Sequence, residues 1–271
     1  MATVSLTSAL RAEYVRLFTA CRIRPERAAE VEGLVDRLAA NRRQYEDVAS
    51  RVGTPWGFVA VIHNMESSQS FLGHLHNGDP LTARTVHEPP GRPKTGAPPF
   101  TWVDSAIDAL KLKGLTAQTD WTLAGTLYQL ERYNGFGYRL NHPAVLSPYL
   151  WSFSNQYTSG KYVADGTWSD TAVSKQCGAA VLLRRMAERQ LVGFTDQPLP
   201  TGGAAAAPMA PRYALSKPAD PVELAKVIAL QTWLSHFPGV FVSPDGAPGP
   251  RTSDAYRLVT GHYLPGDPRG G

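Results

Sequence analysis

Residues 56–79 read WGFVAVIHNMESSQSFLGHLHNGD, and how this stretch folds decides the rest. Trp56, Val59, Ala60, Val61, Ile62 and Met65 form an apolar run long enough for a buried helix. Thr54 is the expected N-cap and Pro55 the expected first helical residue. The run closes on an acid, Glu66, and a polar, glycine-containing segment then leads to a second acid, Asp79. Burial disfavours the charged form of a carboxyl group, so a glutamate ending an apolar helix can keep its proton at neutral pH. That is the state a general acid needs. The competing reading is an exposed last-turn glutamate that only solvates a helix end.

Outward from this stretch, the periodicity predicts two helices over residues 5–51. The first carries Leu6, Leu10, Tyr14, Leu17 and Phe18 on one face, and the second starts at Pro25. Residues 80–100, PLTARTVHEPPGRPKTGAPPF, are too rich in proline and glycine for a helix, and a short hairpin or an extended lip beside a cleft is expected. Glu88 lies in it. Helices are expected again at 102–112, at 121–132 and at 172–191, the last with Val173, Ala180, Leu183 and Met186 facing inward. The second of these runs into Tyr133-Asn134-Gly135-Phe136-Gly137, where two glycines permit a tight turn over a cleft. Residues 147–170 are dense in aromatics, a composition that suits sugar stacking or the edge of a core.

Residues 196–219 are dominated by proline, alanine and glycine and read as a linker between residues 1–195 and a small unit at 220–271. A unit that small has a thin core and suits binding rather than catalysis. The chain of 271 residues carries a net charge of +4, a mild excess that suits an anionic polymer such as a cell wall. No basic block interleaved with aromatics marks a nucleic-acid binder, and no apolar run of about 18 residues spans a membrane. Cys21 and Cys177 are the only cysteines, which excludes a disulfide framework; buried thiols are expected. The N-terminus lacks the apolar core of a secretory signal. The expectation is a soluble monomer made in the cytoplasm that reaches its site of action by export or lysis.

Three chemistries compete for the central stretch. Glu66 and Asp79 can form a carboxyl pair that cleaves a glycosidic bond, one protonating the leaving oxygen and the other assisting water. His63 and Glu66 share a helical face, and with His74 or His76 could hold zinc for a peptidase. In the third reading the helix is core and the polymer is only bound.

The segment Val61-Ile62-His63-Asn64-Met65-Glu66-Ser67 resembles the motif of goose-type lysozymes and soluble lytic transglycosylases. In that family an apolar helix ends in a catalytic Glu followed by Ser. The resemblance implies a lysozyme-like helical domain with a small hairpin or loop lobe, needing no cofactor or metal. It implies Glu66 as general acid and Asp79, in Asn77-Gly78-Asp79, as the partner that positions water, with Glu88 as an outside candidate. Ser67, Tyr133, Asn134 and Tyr149 would shape the sugar site. The chain departs from the family where a Gly-Leu-Met-Gln block is replaced by TARTVHEPPGRP at 82–93, which leaves hydrolysis and transglycosylation both open. In the tail, Leu230-Gln231, Asp245-Gly246-Ala247-Pro248-Gly249-Pro250-Arg251-Thr252 and Ala255-Tyr256 resemble the peptidoglycan-binding type 1 module, a small three-helix-type domain. Together they imply a peptidoglycan hydrolase acting on glycan strands.

Overall fold

The computed structural model describes residues 4–197 and 208–270, and the chain is mainly helical. Four helices lead in: α1 (Ser8–Thr19), α2 (Ala28–Ala40), α3 (Arg42–Val52) and α4 (Trp56–Ser67). After a long loop come α5 (Trp102–Leu112), α6 (Leu123–Asn134), and the short α7 (Gly137–Asn141) and α8 (Pro148–Trp151). A hairpin of β1 (Lys161–Ala164) and β2 (Thr167–Ser169) precedes α9 (Ala179–Glu188), and α10 (Pro221–Leu234) and α11 (Pro250–Thr260) complete the set. Contacts divide the chain into two units, Met1–Arg185 and Met186–Gly271, with the division inside α9. Residues 198–207 of the expected linker lie outside the described residues.

In the first unit α4 is the core. Every residue from Gly57 to Met65 is buried, although Val59, Val61 and Ile62 are modest helix formers. Tertiary burial overrides that propensity, because each fully enclosed side chain of the size of Phe58 or Ile62 contributes about 1.5–3 kcal/mol. α3 supplies Tyr45, Val48, Ala49 and Val52 and lies against both α4 and α5, while α6 touches α4 from another side. Gly53 ends α3 at φ 83°, and a Cβ there would meet the Ala117 backbone at 2.7 Å, so only glycine fits. The Pro55 carbonyl accepts the first helical bond, from Phe58 N–H at 3.1 Å, which makes Pro55 the N-cap. Thr54 does not cap the helix as expected: its Oγ1 is buried with no partner among the described residues.

Other expectations need correction. Residues 5–51 hold three helices, because the chain breaks at Asn41 between α2 and α3. The only named strands among the described residues are β1 and β2, not the proline-rich stretch, which is irregular and joins the preceding loop by a Gly73–Pro80 bridge. β1 and β2 are antiparallel, pairing Tyr162 with Trp168 around a turn containing Gly166 at φ 69°. α9 begins at Ala179, leaving Val173 half exposed instead of inward. Cys21 and Cys177 are buried thiols.

The second unit, described over residues 186–197 and 208–270, contains α10 and α11, with Leu230, Leu234, Val240, Val242, Ala255 and Val259 forming a core cluster. Ala210 and Tyr213, from the stretch read as linker, pack on that core, and the Tyr213 N–H bonds to Pro265 O at 2.9 Å. The buried amide of Gln231 ties the turn down. The two N–H groups on its Nε2 are shared among Asp245 Oδ1 (2.7 Å), Ala247 O (3.1 Å) and Thr252 Oγ1 (3.0 Å), while its Oε1 accepts from Gly246 N–H (2.8 Å). These contacts satisfy the buried amide, which would otherwise be costly to desolvate.

Candidate active site

Glu66 sits in the last turn of α4, where the apolar helix meets partly open surroundings. The helix stops at two residues in the left-handed region, Ser68 (φ 51°) and Gln69 (φ 65°). Neither is glycine, so each costs roughly 1–2 kcal/mol. The turn is held from outside: Gln69 Nε2 donates to Asn64 Oδ1 at 2.9 Å, and Gln176 Nε2 caps the Met65 carbonyl at 2.8 Å. Gly78 (φ 81°) lies so close that a Cβ would meet the Glu66 carbonyl at 2.8 Å. The end of α4 is therefore fixed by packing on several sides.

The Glu66 carboxyl accepts a hydrogen bond from the Tyr149 hydroxyl, Oη to Oε1 2.8 Å. Burial raises its proton affinity, and the Tyr149 bond and the charge of Lys113 only partly offset this, leaving the pKa pushed up to about 7. Tyr149 and Tyr133 are pushed well above the usual phenol range, first by burial and then by the Glu66 charge, so both stay protonated donors. Tyr133 is buried at the end of α6 and donates to Leu75 O at 3.1 Å. The structure thus brings Glu66, Tyr149 and Tyr133 together.

Asp79 is differently placed. Its buried carboxylate accepts four hydrogen bonds from its own loop: His87 Nδ1 (2.6 Å), Val86 N–H (2.8 Å), His87 N–H (3.0 Å) and Asn77 Nδ2 (3.1 Å). Burial alone would raise its pKa, but the bonds from His87 and Val86 outweigh it and bring the value down to about 2. Such a carboxylate is a latch for residues 77–88, with three of these bonds on Oδ2 and one on Oδ1. Glu88 is exposed on the same loop, and its charge, like that of Glu66, acts on Lys113. Ser67 Oγ bonds back to His63 O at 3.2 Å, a contact within the helix. Asn134 is exposed at the end of α6 beside Gly135.

The zinc grouping does not form. His63 is fully enclosed, with Nδ1 3.0 Å from Tyr45 Oη and its ring against Phe71 and Trp102; burial pushes its pKa down to about 4. His74 is bound to Ser105 Oγ and Ala83 O, each at 2.8 Å, and His76 Nε2 to Asp108 Oδ2 at 2.8 Å. Among the described residues no group of three or more His, Cys, Asp or Glu is placed to hold a metal ion.

Lys113 went unnoticed in the sequence. It follows α5, is half-buried, and donates from Nζ to Tyr133 O at 3.0 Å. Nothing in its local sequence signals this, because it meets Tyr133 only where the residue after α5 is hydrogen-bonded to the end of α6. A separate hollow of about 400 Å³ beside α5, walled by Pro93, Phe100, Asp104, Ile107 and Lys111, includes none of these site residues.

Glu66 thus combines a pKa pushed up to about 7 with a bond from Tyr149, and it interacts electrostatically with Tyr133 and Lys113. No protein-family model, curated protein or solved structure matches this chain. Among the described residues, no helix is long and apolar enough to cross a membrane.

Proposed function

We propose that the first unit cleaves the glycosidic bond between amino sugars of bacterial cell-wall glycan, with Glu66 as the general acid. The observation that carries the reading is the half-buried Glu66 carboxyl bonded by Tyr149, in the setting of the goose-type lysozyme resemblance. Glu66 gives its proton to the bridging oxygen as the C1–O bond breaks, leaving a carboxylate beside a positively polarised C1. Water then adds to C1 and its proton returns to Glu66. Tyr149 holds the carboxyl in place through both steps, and Tyr133 and Asn134 line the sugar site. The second unit, by its own resemblance, is a wall-binding module that raises the local concentration of an insoluble substrate. The reading places the protein's work at the cell wall.

The Asp79 geometry favours a second reading of the same bond cleavage. A carboxylate with four intramolecular donors is poorly placed to activate water, so Glu66 would act alone, as in a lytic transglycosylase. The sugar's own C6 hydroxyl then attacks C1, and the Glu66 carboxylate takes the hydroxyl proton, closing a 1,6-anhydro ring. Mass spectrometry of digested walls separates the outcomes. Reducing sugar ends mean hydrolysis, anhydro ends mean transglycosylation, and wall binding without soluble fragments means a binding protein. Glu66→Gln is expected to lower the cleavage rate about 10²–10⁴-fold. Full activity in that variant rules out the acid assignment.

A further inference from the structure

Lys113 takes no part in the proton transfer just described, and its placement points to a ligand. Its Nζ donates to Tyr133 O at 3.0 Å and lies 4.7 Å from the centre of the Tyr133 ring. Its own carbonyl is held by Arg132 Nη2 at 2.7 Å, and Gly114, with φ 68°, turns the chain away immediately afterwards. The side chain is therefore anchored at both ends, against the C-terminal end of α6, where helix carbonyls favour a cation. An ammonium carries three donors. Among the described residues one of them is used, which leaves two donors and a half-buried positive charge beside Glu66 and Glu88. Arg132 is the cation acting against it. Once Glu66 holds its proton, exposed Glu88 is the remaining acid that offsets Lys113. A neutral sugar would meet this group weakly, whereas an anion would satisfy both its charge and its spare donors.

We infer that Lys113 selects the substrate, binding a carboxylate carried on a side group of the amino sugar next to the bond that Glu66 cleaves. The inference rests on the Glu66 reading and narrows its substrate class. The glycan taken is one bearing carboxylate-terminated side groups, as wall glycan does through its peptides, in preference to neutral chitin-like chains. Lys113 reads the substituent, and Glu66 acts on the bond.

The test measures affinity by calorimetry in the full chain, with Glu66→Gln in every protein to stop turnover and imitate the protonated acid. One probe is a soluble wall disaccharide carrying a short, carboxylate-ended peptide, and the other is chitotetraose. Contributions from the second unit are common to all proteins and cancel in the comparison. Lys113→Met is expected to weaken the acidic probe about tenfold or more, the loss of a charge-assisted hydrogen bond. Chitotetraose affinity should change less than about twofold, which also shows that the variant is folded. Lys113→Arg, which keeps the charge, should restore most of the loss. Equal weakening of both probes, or an acidic probe bound no tighter than chitotetraose before substitution, overturns the inference. Failure of the acid assignment has a separate signature, retained cleavage by Glu66→Gln, whereas the selection by Lys113 is read from affinities alone.

Discussion

Glu66 and Asp79 stand thirteen residues apart, and Gly78, next to Asp79, lies against the Glu66 carbonyl, yet their surroundings move their proton affinities in opposite directions. Among the described residues Glu66 has one hydrogen-bond donor, Tyr149, and burial outweighs it, so the proton is held up to about pH 7. Asp79 has four donors converging on it, so the proton comes off. The difference lies in what the backbone presents. The helix end offers Glu66 no free N–H groups, whereas the loop after Asp79 turns two of its own toward that carboxylate. One acid is set up to exchange a proton and the other to fasten a loop.

The largest expected effect is the rate loss in Glu66→Gln. The same substitution sharpens the comparison in stability. A carboxyl whose folded pKa is raised from 4.5 to about 7 weighs against the folded state once it must ionise. The penalty is absent below pH about 4.5, grows through the interval up to about 7, and is complete above it. Glu66→Gln should thus be the more stable protein at pH 8, by on the order of 2 kcal/mol, and the gap should close at pH 4. Urea unfolding at both pH values measures it. A variant less stable than the parent at pH 8 would contradict the burial account of Glu66.

Asp79→Asn should behave in the opposite sense. An Asn side chain turns an N–H₂ toward donors that need an acceptor, and each lost bond to a charged group is worth about 1.5–3 kcal/mol before the loop relaxes. The expected result is faster amide exchange at Val86 and His87 and lower stability at neutral pH. Because the folded pKa is depressed from 3.8 to about 2, the parent's advantage is present above about 3.8 and fades as pH falls toward 2. Cleavage should drop far less than in Glu66→Gln. An equal rate loss with the loop still protected would restore Asp79 as a direct participant in catalysis.

Much of this contrast was out of reach in the sequence, for physical reasons. The α4 and α5 helices were legible because their apolar residues recur where burial demands them, and Glu66 was legible because an acid closes such a run. The break at Asn41 carries no proline or glycine, so α2 and α3 read as one helix. The Asp165-Gly166 turn is a hairpin signal that the proline-rich 80–100 stretch, irregular in the structure, outweighs in the sequence. Spacing can place Asp79 near Glu66, yet it says nothing of who donates to it. That depends on Val86 and His87 turning inward, a property of loop geometry. Lys113 is the extreme case, since it reaches the site only through hydrogen bonds with Arg132 and Tyr133, nineteen and twenty residues further along the chain.

The smallest effect tests the one donor that Glu66 does have. The Tyr149 hydroxyl bonds more strongly to a carboxylate than to a neutral acid, so it lowers the Glu66 pKa from the value burial alone would give. Tyr149→Phe removes that preference, and the pKa should rise above about 7. Cleavage needs the protonated acid, so the limb of the pH–rate profile where activity falls with rising pH should move upward. A single hydrogen bond to a charged group sets the size of the movement at about one pH unit or less. The Asp79→Asn variant should leave this limb where it is, since burial, Tyr149 and Lys113 set the Glu66 pKa and Asp79 does not act on it. If the limb stays fixed in Tyr149→Phe and moves in Asp79→Asn, Asp79 rather than Tyr149 is the group that tunes the acid.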